Sequence, residues 1–179
     1  MSVKINTPLK DADILKQLKT GDEVLISGKI LVGRDQVHKK LAEMLKQNKD
    51  IPVNFEGAFL YYMGPSPAPP NKISGSAGPT TASRMDPFTP FLLENLPIKG
   101  IIGKGPRNED VLKSFAKNKV VYFHAFGGCG ALYGSTIKKS EVLMFPELET
   151  ESLRVITVEN FPVLVAFDFN GNYLYPSFK

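Results

Sequence analysis

Apolar residues recur along this chain in two rhythms. In some stretches they alternate or run together, and in others they return every three or four positions. The rhythms take turns, which predicts short strands alternating with amphipathic helices. Asp11–Leu18 starts acidic and sets Leu15 and Leu18 at helical spacing, predicting a short helix before Gly21-Asp22. Glu23–Val32, with Val24, Ile26 and Ile30, predicts a strand. From Asp35 to Gln47 the apolar positions are 37, 41, 44 and 45, with lysines on the opposite face, so a helix is predicted there. Gly57–Met63, Ile98–Ile102 and Val120–His124 predict further strands. Between them Thr89-Pro90 predicts a helix start, threonine as N-cap and proline at the first helical position, ahead of Leu92, Leu93 and Leu96. Asn108 is the expected cap of a helix over Glu109–Lys117. Gly127-Gly128-Cys129-Gly130 leads into a predicted helix through Lys138. Glu141–Phe145, Leu153–Val158 and Val163–Phe169 predict strands, and Asn170-Gly171 a two-residue hairpin turn before Tyr173–Tyr175. That order predicts an α/β fold with mixed sheets, one domain over residues 1–179.

Composition narrows the class. Hydrophobic residues make up 42% and charged residues 22% of the 179, which excludes disorder and fibrous repeats. No apolar run approaches the roughly 20 residues of a membrane span, and the expected location is the cytoplasm. The net charge of +4 is spread out, with no basic block and arginines only at 34, 84, 107 and 154, so nucleic acid is not an expected partner. Cys129 is the single cysteine, and one thiol cannot form an internal disulfide, a zinc knuckle or a cysteine-ligated cluster. No metal site is therefore expected from this chain's own residues.

Local motifs leave the chemistry open. The glycines at 75, 78, 103 and 105 match neither phosphate-binding spacing, and Gly127–Gly130 reads more simply as close helix packing. His38 and His124 read as packing histidines on pattern alone, and Cys129 as a small filler. The stretch Gly78–Asp86 stands apart. It concentrates hydroxyls, Arg84 and Asp86 on a glycine-containing loop before a capped helix, and loops on a scaffold are where sites sit. Four prolines within residues 65–70 exclude helix and central strand, leaving a linker or a rigid loop over a site.

Gly78-Pro79-Thr80-Thr81-Ala82-Ser83-Arg84-Met85-Asp86-Pro87 resembles the signature of the class I, iron–sulfur-dependent fumarase and tartrate dehydratase family, in its β subunit or C-terminal domain. The family reads GPTT-x-GRMDP, so Ser83 stands where a glycine is usual, and a serine would bear a cost if that position needs a positive φ. Gly33-Arg34-Asp35-Gln36-Val37-His38-Lys39 is similar to the family's ARDxxHK segment, with Gly33 for alanine. Tyr61–Ala68 is similar to its YYVGPxPA strand and loop, Ile102–Gly105 to its IGKG turn, and Glu159–Pro162 to its ExFP segment. The matches keep family order over nearly the whole chain.

The resemblance implies a swivelling β/β/α domain closing over a separate α subunit that carries a [4Fe–4S] cluster on three cysteines. It implies an assembly of two α and two β subunits, and a hydro-lyase acting on a small dicarboxylate. The expected reaction is hydration of fumarate to (S)-malate. The alternatives are dehydration of L(+)-tartrate to oxaloacetate, or a non-catalytic dicarboxylate-binding module. By the same resemblance Thr80 is the group that takes the substrate proton. Arg34, Arg84 and Lys104 bind substrate carboxylates, and Asp35, His38 and Thr81 support them. Such cations suit a dianion whose charge grows as a proton leaves the carbon beside a carboxylate.

Overall fold

The strand predicted over Glu23–Val32 forms over those residues in the structure, a computed structural model that describes residues 2–175. In order come β1 (Val3–Thr7), α1 (Asp13–Gln17), β2 (Glu23–Val32), α2 (Asp35–Lys46), β3 (Phe59–Tyr61) and a 3-10 turn (Ala82–Met85). Then follow α3 (Thr89–Asn95), β4 (Gly100–Gly103), α4 (Glu109–Asn118), β5 (Val121–His124), α5 (Gly130–Thr136), β6 (Ile137–Met144), a second 3-10 segment (Pro146–Glu151) and β7 (Leu153–Phe167). Strands β2, β3, β4 and β5 are parallel and adjacent in sequence order, each reached through a crossover. β7 runs antiparallel and pairs with both β5 and β2. These five strands therefore close into a ring, with β1 on the free half of β2 and β6 on the free half of β7.

Side-chain alternation sorts the core into two clusters. Val24, Ile26, Ile30 and Val32 of β2, Phe59 and Tyr61 of β3, Ile102 of β4 and Phe123 of β5 point inside, toward Ile156, Val158, Phe161, Val163 and Val165 of β7. Leu31, Leu60, Tyr62, Ile101 and Tyr122 point the other way and pack on Val37 and Leu41 of α2, Leu92 and Leu93 of α3, and Val111 and Phe115 of α4. Antiparallel strand, parallel strands and helices thus form β, β and α layers, the mixed α/β architecture expected.

β7 replaces two predicted strands. Its inward residues are even-numbered up to Val158 and odd-numbered from Phe161. An extra residue restores the face: Glu159 and Asn160 together oppose Ser27, Asn160 takes φ +52°, and its N–H donates to Ser27 Oγ at 3.0 Å. A bulge keeps the ladder going where the sequence suggests a break. Gly28 faces the opposite constraint. At φ +107°, a Cβ there would fall 2.2 Å from Thr7 O, so only glycine lets β1 dock.

Other elements differ from the pattern for local reasons. β1 offers only Val3 and Ile5 as alternating apolar residues, too short a signal to predict a strand. Thr89 is not the N-cap of α3; it lies inside the helix, and its hydroxyl turns inward to donate to Met85 O at 2.8 Å. α5 stops at Thr136, because β-branched Thr136 and Ile137 favour extension and Ile137 pairs with Val158 of β7. Asn108 caps α4 as expected, accepting from Val111 N at 2.9 Å. After Asn170-Gly171, Tyr173 forms only a single bridge to Phe167. Among the described residues no helix is long and apolar enough to cross a membrane.

Candidate functional site

The carboxyl ends of parallel strands are the usual ligand side of α/β folds, open or closed, and here they deliver the charged residues. β2 leads through Gly33 to Arg34 and Asp35 at the start of α2. β3 leads to Gly64, β4 to Lys104, and β5 ends at His124 beside Gly103. Gly33 lies close against Val37: a Cβ there would meet Val37 Cγ1 at 2.8 Å, so an alanine at this position needs the valine to shift.

The loop over residues 79–86 is stitched across these ends by its backbone. Pro79 bridges Met63, and Thr80 N–H donates to Tyr62 O at 2.7 Å. Thr81 bridges Lys104, and Ala82 N–H donates to Lys104 O at 2.8 Å. Thr80 and Thr81 are thereby fixed between β3 and β4, and the 3-10 turn that follows presents Arg84. Ser83 lies in that turn, exposed and without a positive φ, so serine costs nothing there.

Asp86 anchors the far end of the loop. Its Oδ1 accepts from Arg107 Nε at 2.6 Å and its Oδ2 from Asn108 N–H at 3.0 Å. The Arg107 side chain is fully buried, donates from Nη2 to Thr89 Oγ1 at 2.8 Å, and lies over the rings of Tyr62, Phe115 and Tyr122. Burial alone would lower its pKa, but Tyr62, Asp86 and Tyr122 beside it outweigh that and raise it. The inward hydroxyl of Thr89 thus serves the arginine rather than the helix end.

On the solvent side, arginines and carboxylates interleave. Arg84 Nη2 donates to Asp35 Oδ2 at 2.8 Å. Arg34 lies 3.8 Å by its Nε from Asp35 Oδ1, and its Nη2 donates to Glu151, the last residue of the second 3-10 segment. Arg34 Nε and Asp35 Oδ1 are both shut off from solvent without a hydrogen-bond partner among the described residues. The guanidinium lies against Gly64, where a Cβ would come 2.7 Å from Nη1. Lys104 runs past Gly127, whose added Cβ would sit 3.1 Å from Cδ and 3.8 Å from Nζ.

The histidines sit differently. His38 is buried under Arg34, with its Nδ1 2.8 Å from Arg34 O and its ring edge-on to Tyr62. Burial, with the Arg107 charge helping, lowers its pKa to about 4, so it is neutral near pH 7 and props the turn that carries Arg34. His124 is half-buried, and burial followed by the charge of Lys104 holds it below its ordinary range. Its Nδ1 is 2.5 Å from the Tyr175 hydroxyl, whose pKa burial pushes up to about 12, so the phenol donates. Cys129 is a free, half-buried thiol, and among the described residues no three metal-ligating side chains converge.

Of the expected site residues, Arg34, Asp35 and Arg84 are joined by side chains and Thr81 and Lys104 by backbone pairing, while Thr80, next to Thr81, is held by Tyr62. His38 lies beneath them. Glu151 and Arg107 were not expected. Glu151 has no motif, and Arg107 follows the Ile102–Gly105 turn with nothing in its neighbours to announce a partner 21 residues away.

A family profile described as Fumarase C-terminus matches residues 1–178. A Methanocaldococcus jannaschii protein provisionally named L(+)-tartrate dehydratase subunit beta is 37% identical over 166 residues, covering 90% of this chain and 85% of that protein. The anaerobic class I fumarate hydratase of Escherichia coli is 35% identical over 176 residues, 96% of this chain but 32% of the enzyme. Fumarate hydratase 2 of Leishmania major is 34% identical over 162 residues, 90% of this chain and 28% of the enzyme. The chain thus spans about a third of those fumarate hydratases and most of the archaeal subunit. With a profile match over almost every residue and these motifs placed together at the strand ends, the chain belongs to the Fumarase C-terminus family, whose relatives are hydro-lyases.

Proposed function

We propose that residues 1–179 form one β-subunit-type domain of a hydro-lyase that hydrates fumarate to (S)-malate, working with a partner α subunit in an assembly of two of each. The observation that carries this reading is the arginine pair joined through Asp35, set beside a loop that pairs Thr81 with Lys104 and holds Thr80 on Tyr62. Arg34, Arg84 and Lys104 bind the substrate carboxylates, since guanidinium groups engage a carboxylate through parallel hydrogen bonds. As a proton leaves the carbon beside a carboxylate, that group gains charge, and fixed cations stabilise it more than the ground state. Thr80 takes the proton. Its hydroxyl is a weak base alone and needs a neighbouring charged group to hold the proton in passing. Asp35 orients both arginines, His38 supports Arg34 from below, and Thr81 holds Lys104.

The iron–sulfur cluster implied by the resemblance does not fit this chain, because the one cysteine, Cys129, cannot supply three thiolates. It is assigned to the α subunit, and no step on this chain is drawn through it. The second reading, L(+)-tartrate to oxaloacetate, is favoured by the Methanocaldococcus jannaschii protein, 85% of which is covered by this chain and which is named for that substrate.

The test is co-expression with the α subunit under anaerobic conditions, followed by assay on fumarate, malate and tartrate. Losing a charge-assisted pair costs about 1.5–3 kcal/mol, so Arg84→Ala and Lys104→Ala should each lower kcat/KM by roughly 10- to 100-fold. Unchanged kinetics in either variant refutes the site. A complex that binds dicarboxylates without turnover favours the non-catalytic module instead.

A further inference from the structure

We propose that Glu151 is a resident carboxylate, holding the Arg34 guanidinium until a substrate carboxylate displaces it. The inference rests on the carboxylate-binding role proposed for Arg34. As the site stands, two arginines face two carboxylates. Arg84 is paired with Asp35, Arg34 with Glu151, and Asp35 lies between the two arginines. The four charges cancel, leaving Lys104 as the cation facing an incoming dianion. A dicarboxylate gains a matching pair of arginine charges only if one resident carboxylate steps aside.

The structure distinguishes which one does. Asp35 is the first residue of α2, on a rigid element whose positive N-terminal end favours a carboxylate. It also serves Arg84. Glu151 ends a 3-10 segment with no fully buried residue, entered through Phe145 at φ +58° and broken inside by Glu149 at φ +50°. That strap is held at its end by Ser152 and Arg154 bonding to Glu149 O, at 2.8 and 3.1 Å. Glu151 can swing out with its own side chain, whereas moving Asp35 requires moving a helix. Arg34 is also incompletely satisfied where it sits. Its Nε and Asp35 Oδ1 face each other without partners, 3.8 Å apart by the Nε–Oδ1 distance. Releasing Glu151 lets the guanidinium rotate to close that gap on Asp35 and turn its Nη groups to the ligand. Gly64 leaves the room for this, because any Cβ there would already touch Nη1.

The test is an NMR titration of the 179-residue chain with L-malate, following the Arg34 Nε–Hε signal in wild type and Glu151→Gln, and backbone amide shifts in both and in Arg34→Ala. Removing a competing, partly exposed ion pair should tighten malate binding in Glu151→Gln by about fivefold. The Arg34 signal of ligand-free Glu151→Gln should already lie near its malate-bound position. Equal or weaker binding in Glu151→Gln, while wild type binds and Arg34→Ala does not, overturns the resident-carboxylate proposal and leaves the Arg34 assignment standing. If neither wild type nor Glu151→Gln shifts the Arg34 signal with malate, the carboxylate-binding role of Arg34 fails and the inference fails with it.

Discussion

Replacing Asp86 by asparagine keeps the shape of the loop anchor and removes its charge. The carboxylate accepts from two donors at once, Arg107 Nε at 2.6 Å and Asn108 N–H at 3.0 Å. An asparagine has one oxygen, so one donor would face the amide NH2. The Arg107 side chain is 0% exposed and its Nη1 already lacks a partner among the described residues, so no water shell takes over the lost charge. Removing one member of a buried ion pair costs about 3–5 kcal/mol. The rings of Tyr62, Phe115 and Tyr122 stay in place around the guanidinium. Because each such contact is worth up to ~2 kcal/mol when desolvated, the lower end, about 3 kcal/mol, is expected. For a chain of this length that lowers the melting temperature by roughly 6–12 °C, at about 2–4 °C per kcal/mol. The chain has no tryptophan, so urea unfolding is followed by far-ultraviolet circular dichroism and by tyrosine signals. Asp86→Asn/Arg107→Met should recover most of the loss, since an apolar pair leaves no buried charge unmatched. A single-variant loss below about 1 kcal/mol, or a double variant less stable than Asp86→Asn, would refute the reasoning that this pair anchors the loop over residues 79–86.

His38 makes stability depend on pH. Its pKa is about 4 in the folded chain against 6.5 when exposed, so the unfolded chain binds the proton first as pH falls. Stability contributed by neutral His38 is full above pH 6.5, is lost between 6.5 and 4, and totals about 3 kcal/mol. Urea midpoints at pH 7 and pH 4.5 should converge for wild type and His38→Gln as pH drops; parallel curves would exclude the effect. Gly64→Ala should leave the melting temperature within a few degrees but push Arg34 from its place, since the new Cβ falls 2.7 Å from Nη1. It is expected to raise KM more than it lowers stability, and an unchanged KM would remove Arg34 from the substrate's path.

What the sequence discloses depends on how local the cause is. β2 and the Asn108 cap of α4 are set by neighbours within a turn or a strand, and both are legible at residue level. Thr89 is not, because a threonine before a proline looks the same whether its hydroxyl caps a helix or turns inward to Arg107. The break suggested at Glu159-Asn160 is equally ambiguous. The same residues end a strand or form a bulge, and only the partner strand, with Ser27 opposite, decides between them. The site is still less local. Arg34 and Lys104 are separated by a long stretch of chain and come to one edge because parallel strands β2 and β4 end on the same side, where the loop that carries Arg84 crosses them, which no spacing rule within the sequence encodes. Family resemblance names those residues, since it carries the outcome of the fold. It does not name Glu151, whose role follows from charge balance among neighbours that meet only in space. A cluster read as strongly positive from its arginines holds a carboxylate for each of them, Asp35 and Glu151, so under the reading proposed above its affinity for a dianion depends on which carboxylate yields.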